Sequence, residues 1–259
     1  MSTELHRIRR YELKYLVTEE QASAIREHVQ GFCSLDSHSS PELGGYVVNN
    51  LYLDTPDLRF YWDVKFRRLT RVKTRLRYYG RRLKDSVWLE LKYRQGSIIW
   101  KVRRRIAAEQ WPGVLEPSVA STELPRFQDG SMSFEDVASL LGVEPVLHAR
   151  YFREPWVSDI DDYGRVTIDR RLTGRMANGS YGLECEDRDL SYYDDPVTMG
   201  EVDSRVLLEI KVERMVPEWA IRLIRRFGLV QRGFSKYCYV IDRHRESEAF
   251  PDRQARHAW

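Results

Sequence analysis

Several things are scarce in this chain of 259 residues, and each scarcity removes a class of protein. It has only three cysteines, Cys33, Cys185 and Cys238, far apart and at no metal or redox spacing. An odd, scattered set excludes a disulfide framework and suits reduced thiols in a cytosol-like compartment, so a cytoplasmic location is the expectation. There is no run of about 18 apolar residues, hence no expected membrane span. Met1 to Lys14 is polar and charged and lacks the apolar centre of a signal peptide. Low-complexity tracts and solenoid repeats are absent. Net charge is scarce too, at +3 from 42 Lys+Arg against 39 Asp+Glu. A general nucleic-acid binder has a larger positive excess, so no nucleic-acid partner is expected.

What the chain has in plenty is placed charge. In Arg71-Val72-Lys73-Thr74-Arg75-Leu76-Arg77 the cations share one face of a strand and the other residues take the opposite face. Like charges roughly 7 Å apart cost about 2 kcal/mol per pair at an effective dielectric near 20. Such a row needs water or an anion beside it. Lys101, Arg103 and Arg105 repeat the pattern, and Arg165, Thr167, Asp169 and Arg171 share a parity. Three strands carry Glu-x-Lys: Glu12/Lys14, Glu90/Lys92 and Glu209/Lys211. One such pair reads as a cross-strand ion pair on a wet sheet; three, beside the cationic rows, suggest one shared charged surface.

Along the chain, strands are predicted over residues 7–17, 46–54, 71–79, 86–93, 98–106, 146–156, 164–172, 205–213 and 229–242. Helices are predicted after the Thr18 capping box, from Thr55-Pro56 to about Val64, from Ser133 to Leu141 and from Pro217 to Phe227. Cys33 to Gly45 reads as a polar loop. Residues 173–204 read as a long connection with a short hairpin near Tyr181 to Glu186. His148, Trp88 and Trp100 read as packing residues. The predicted class is α+β: a closed antiparallel β tunnel or barrel of about eight strands with a charged interior, flanked by helices. One domain is expected over 1–242, with a polar tail over 243–259.

Burying so many cations costs several kcal/mol per ion unless something compensates them. Arginine forks suit phosphate oxygens, and glutamates suit a divalent ion that bridges those oxygens. The segments Arg10-Tyr11-Glu12-Leu13-Lys14-Tyr15, Leu51-Tyr52-Leu53-Asp54-Thr55-Pro56, Arg75-Leu76-Arg77, Leu89-Glu90-Leu91-Lys92, Tyr151-Phe152-Arg153, Arg165-Val166-Thr167-Ile168-Asp169, Leu208-Glu209-Ile210-Lys211 and Phe234-Ser235-Lys236-Tyr237 together resemble the VTC-type polyphosphate polymerase domain of the triphosphate tunnel metalloenzyme (CYTH-like) superfamily. The resemblance implies Mn2+- or Mg2+-dependent transfer of the terminal phosphoryl group of ATP, or another nucleoside triphosphate, onto inorganic polyphosphate. It implies that Lys14, Arg75, Arg77, Lys92, Arg165 and Lys236 act on the phosphates in catalysis. Lys73, Lys101, Arg103, Arg153, Lys211 and Ser235 are expected to bind substrate, with Arg150 as an alternative to Arg153. Glu209 is the principal expected metal ligand, with Glu12 and Glu90. Two departures stand out: Arg10 replaces the first acid of the hydrolase pattern, and Gly233 replaces a lysine of the eukaryotic polymerase. A triphosphatase with water as acceptor and a non-catalytic module for polyphosphate or RNA are the alternative readings.

Overall fold

The computed structural model describes residues 3–7, 10–96, 98–116, 132–161, 163–192, 206–213 and 215–249. It is an α+β protein whose strands pair antiparallel, as expected. The chain forms two compact units. The first holds residues 1–8, 49–149 and 175–189; the second holds 9–48, 150–174 and 190–259. Five α-helices and eleven strands lie among the described residues.

In the first unit the strand order is β1 (Thr3–Arg7), β7 (Ile98–Ala107), β6 (Ser86–Gln95), β5 (Thr70–Tyr79) and then β4 (Tyr46–Asp54). β-Branched and aromatic residues alternate with cations here, which suits a sheet apolar on one side. Val72, Leu76, Val87, Leu89, Leu91, Val102 and Ile106 fill a core with Phe60 and Val137. Phe60 comes from helix α2 (Arg59–Lys65) and Val137 from α3 (Phe134–Leu141). The expected start of α2 is corrected: Thr55-Pro56 forms a turn, and the helix begins at Arg59 after Leu58, whose φ is +57°. The buried Asp54 carboxylate accepts from the backbone N–H groups of Thr55, Phe60 and Tyr61, so the cap comes from further upstream.

The second unit has the order β8 (Glu144–Ser158), β9 (Arg165–Met176), β11 (Val206–Glu213) and β2 (Arg10–Val17). β8 enters it at Arg150. Two short strands extend this set: β3 (Cys33–Leu35) on β8, and β10 (Ser191–Tyr192) on β9. The Cys33 to Gly45 stretch is therefore not all loop, and β10 folds back on β9 where a separate hairpin was expected. Helices α1 (Glu19–Val29) and α4 (Glu218–Arg226) cover a second core, through Ala22, Ile25 and Val29 and through Trp219, Ala220 and Leu223. The Thr18 capping box forms as its sequence requires.

Three further corrections concern boundaries. The strand expected over 7–17 is two strands, β1 and β2, in different units. The strand expected over 229–242 is instead helix α5 (Lys236–Ala249), which runs on into the segment read as a tail. Tyr237, Val240 and Ile241 are buried at helical spacing, and the Ser235 carbonyl accepts from the Tyr239 N–H at 2.9 Å. Parts of the predicted connections, 117–131 and 193–205, and the final residues 250–259, lie outside the described residues.

Candidate functional site

Register converts the alternating sequence into a grid in the first unit. Lys73 stands opposite Lys92, and Lys92 opposite Lys101; Arg75 stands opposite Glu90, and Glu90 opposite Arg103. Arg77 stands opposite Trp88. Directly opposed residues share a face, so these side chains converge on one carboxylate. Glu90 is 2% exposed. Its oxygens lie 2.6 Å from Arg75 Nη2, 3.0 Å from Lys101 Nζ, 3.4 Å from Arg103 Nε and 3.7 Å from Arg77 Nη1.

The shell around this hub is also built. Arg77 donates to Asn50 Oδ1 at 2.9 Å, and Asn50 donates to the Ala149 carbonyl. Arg75 Nη1 donates to the Tyr52 hydroxyl. The Arg103 guanidinium lies 3.6 Å from the centre of the Trp88 ring, so Trp88 is a platform for a cation. Trp100 is buried, and His148, read from the sequence as a half-buried strand residue, is buried fully. Burial alone would raise the Glu90 carboxyl, but Arg77, Arg75 and Lys101 outweigh it and hold it well below the usual carboxylate range. Burial, with Arg77 and Arg75 nearby, pushes Lys101 down to about 7 despite Glu90. At Lys101 the attraction of Glu90 does not offset burial and the neighbouring arginines.

The second unit carries its own cluster. Glu209 stands opposite Lys14 on one side and Thr167 on the other. Its oxygens lie 3.2 Å from Lys14 Nζ, 3.0 Å from Lys211 Nζ and 3.7 Å from Arg153 Nη2. Arg153 also forks onto Asp169 at 2.7 and 2.8 Å, and Lys236 donates to Asp169 at 2.6 Å. Lys236 Nζ sits 4.3 Å from the Tyr151 ring centre. The Asp169–Lys236 pair lines a cleft with Tyr151, Leu172, Leu207, Phe234 and Tyr239. Burial would raise Glu209; Lys211, Lys14, Lys236 and Arg153 hold it well below its ordinary range instead. Asp169 is likewise held down by Arg153 and Lys236 against burial.

The structure thus brings Arg75, Arg77, Lys101 and Arg103 to Glu90, and Lys14, Lys211, Arg153 and Lys236 to Glu209 and Asp169. Between the candidates Arg150 and Arg153, it is Arg153 that joins the cluster. Lys73 and Lys92 share the face of the first cluster by register, and Glu12, opposite Lys211, shares the face of the second. Arg165 stands apart from the buried cluster. It shares that face, opposite Lys211, but lies exposed at the start of β9 with its guanidinium over Tyr163. The Ser235 hydroxyl accepts from the Cys238 N–H at the head of α5.

Asp169, Asn50 and Tyr151 were not picked out as site residues. Asp169 could have been found from its parity with Arg165 and Thr167. Asn49-Asn50, two amides inside the buried strand β4, were the other available signal.

The metal expectation divides. Glu90 does not fit as a ligand, because four cations already surround its two oxygens. Among the described residues no group of three or more His, Cys, Asp and Glu forms a ligand cage. Glu209 is ringed as well, but mainly by lysines that can turn to phosphate oxygens; it would then suit the sparser mode of a hard divalent ion, which takes one or two protein carboxylates and draws its other oxygens from phosphate and water.

The chain belongs to the VTC domain family, whose model matches residues 9–243. No curated protein matches it. Among solved structures it is similar to a candidate adenylate cyclase from Bacillus halodurans, at 15% identity and a TM-score of 0.47, covering 91% of this chain and 96% of that one. It is also similar to a candidate adenylyl cyclase from Hippeastrum described as having a dominant triphosphatase activity. That match has 14% identity and a TM-score of 0.46, covering 87% and 92% of the two chains. The PH1819 protein of Pyrococcus horikoshii matches at 12% identity and a TM-score of 0.45, over 90% and 99%. All three scores fall below 0.5, and the family match alone places the chain.

Proposed function

We propose that this chain is a phosphotransferase that moves the terminal phosphoryl group of ATP, or another nucleoside triphosphate, onto a polyphosphate chain. The observation that carries the reading is the gathering of cations on buried carboxylates: four on Glu90, and four on Glu209 and Asp169. Burying so many ions together gives little stability by itself. A multiply charged phosphate chain neutralises such cations, and membership of the VTC domain family supports phosphate as that anion.

Phosphoryl transfer asks the protein mainly for positioning and charge stabilisation. The guanidinium of Arg153 is held in place by its fork onto Asp169 and stands as a fixed positive charge for phosphate. Lys14, Lys211 and Lys236 are compact cations that can exchange a carboxylate oxygen for a phosphate oxygen with small rotations. In the first unit Arg75, Arg77 and Arg103 supply fixed forks, and Lys73 and Lys92 add charge on the same face. Glu209, with Glu12 on the same face, would hold Mn2+ or Mg2+, which when bound would supply charge neutralisation. An oxygen at the end of the acceptor chain forms the new O–P bond as the bond to the nucleoside diphosphate breaks, and the electron pair leaves with the diphosphate. No residue of the chain is cast as a covalent nucleophile.

The test is incubation with ATP and Mn2+, followed by sizing of the products on a gel. A ladder of long phosphate polymers is expected, and Glu209→Gln should abolish it while leaving tripolyphosphate binding in place. Release of free phosphate without polymer would give the triphosphatase reading. Binding without any turnover would give the non-catalytic module.

A further inference from the structure

The phosphate clusters leave one feature of the first unit unexplained. Between Arg59 and Arg71 the chain has five basic residues, Arg59, Lys65, Arg67, Arg68 and Arg71, and a single acid, Asp63. The apolar side chains in the same stretch are divided. Phe60 and Tyr61 are buried, while Trp62, Phe66 and Leu69 are 37%, 65% and 77% exposed. Trp62 and Phe66 stack with ring centres 5.4 Å apart and planes at 16°. Residues 65–70 are all exposed.

This surface is held rigidly from below. Asp54, fully buried, ties the first turn of α2 through the backbone N–H groups of Phe60 and Tyr61, and Phe60 anchors the helix in the core. Arg68 is fixed to Asp63, by its guanidinium at 3.2 Å and its backbone N–H at 3.0 Å. Arg67 has φ +53° directly after the helix, where glycine is the residue without steric penalty. A long cation stands there against backbone preference, and its side chain is exposed. Leu69 is joined to the tip of the β6–β7 hairpin by the Gly96 N–H, which donates to its carbonyl.

Exposed tryptophan, phenylalanine and leucine interleaved with arginine and lysine form the amphipathic surface that lies at a lipid–water boundary. The charge selects among surfaces: a patch this basic is repelled by a cationic face, indifferent to a zwitterionic one and attracted to an anionic one. We propose that the patch built on α2 and residues 65–70 docks the chain peripherally on a bilayer rich in anionic phospholipid. Phe66 and Leu69 enter the headgroup region, and Arg59, Lys65 and Arg67 meet lipid phosphates. This proposal is independent of the phosphoryl-transfer reading, and either can fail alone.

The experiment is cosedimentation of the full chain with vesicles of phosphatidylcholine, alone or with an equal part of phosphatidylglycerol. Wild type should bind the mixed vesicles, release with rising salt and ignore the neutral ones. Phe66→Ser and Leu69→Ser change exposed side chains and leave the core intact; each should weaken binding at least about tenfold. Failure of wild type to bind the mixed vesicles overturns the proposal. So does binding that is indifferent to both substitutions, since the cationic strands would then account for it by charge alone. A particle mass in solution that falls from dimer to monomer in Phe66→Ser would also overturn it, because the patch would then be covered by a second copy.

Discussion

Replacing Glu90 with glutamine keeps its shape and removes its charge. The four cations within 3.7 Å of it then lose the charge of that carboxylate. At about 4 Å and an effective dielectric near 20, each lost attraction is about 4 kcal/mol gross. Most of that is offset, because the carboxylate no longer has to be desolvated. Breaking a buried pair from one side costs about 3–5 kcal/mol net. Arg75, Lys101 and Arg103 retain about a quarter of their side-chain exposure, 25%, 23% and 23%, which screens the repulsion. About 3 kcal/mol is therefore the expected loss for Glu90→Gln, or about 6–12 °C in Tm at 2–4 °C per kcal/mol. Thermal melts followed by circular dichroism read this directly. Tripolyphosphate should then raise the Tm of the variant by more than it raises that of wild type, because the variant has one more positive charge to neutralise. A loss below about 1 kcal/mol, with equal responses to tripolyphosphate, would refute the view of Glu90 as the anion that holds this cluster together.

Lys101 gives a pH signature. Its folded pKa, about 7, lies below its unfolded value of 10.5, so between those limits the unfolded chain binds the extra proton. Stability in the absence of ligand should therefore rise with pH from about 7 toward 10.5, and the cost of charging Lys101 is fully present below 7. Lys101→Met should flatten that slope in melts taken across the same window. Arg153→Lys keeps the charge but cannot fork onto Asp169. It should lower kcat at least about tenfold in the polymer assay with only a small loss of stability, and equal activity would mean the fork has no part in transfer.

Charged strands were the most legible part of the sequence, because period two admits no other assignment for Arg71 to Arg77 or Glu209 to Lys211. Capped helices were legible for the same kind of reason: Thr18 and Ser133 each satisfy backbone donors that nothing else reaches. The last element was misread because Tyr237, Cys238, Val240 and Ile241 are apolar in pairs, a pattern that fits a buried strand as well as a helix. β3 was missed because three residues carry no period; its identity comes from the partner, β8. Within the site, the cations were legible and their anions less so. Asp169 is one carboxylate in an ordinary-looking strand, and only pairing with β8 and the approach of α5 reveal what it holds. Arg165 has the parity its sequence position gives, and its place at the strand end leaves it exposed.

The claim on which the rest stands is that the two surplus-cation clusters exist to hold a phosphate chain. Titration calorimetry of tripolyphosphate into the wild-type protein, Arg75→Gln and Lys236→Gln, at two salt concentrations, measures it most directly. Saturable binding that weakens with salt and drops at least about tenfold in each variant is the expected result. Absence of binding to wild type, or affinity unchanged by both substitutions, would contradict it.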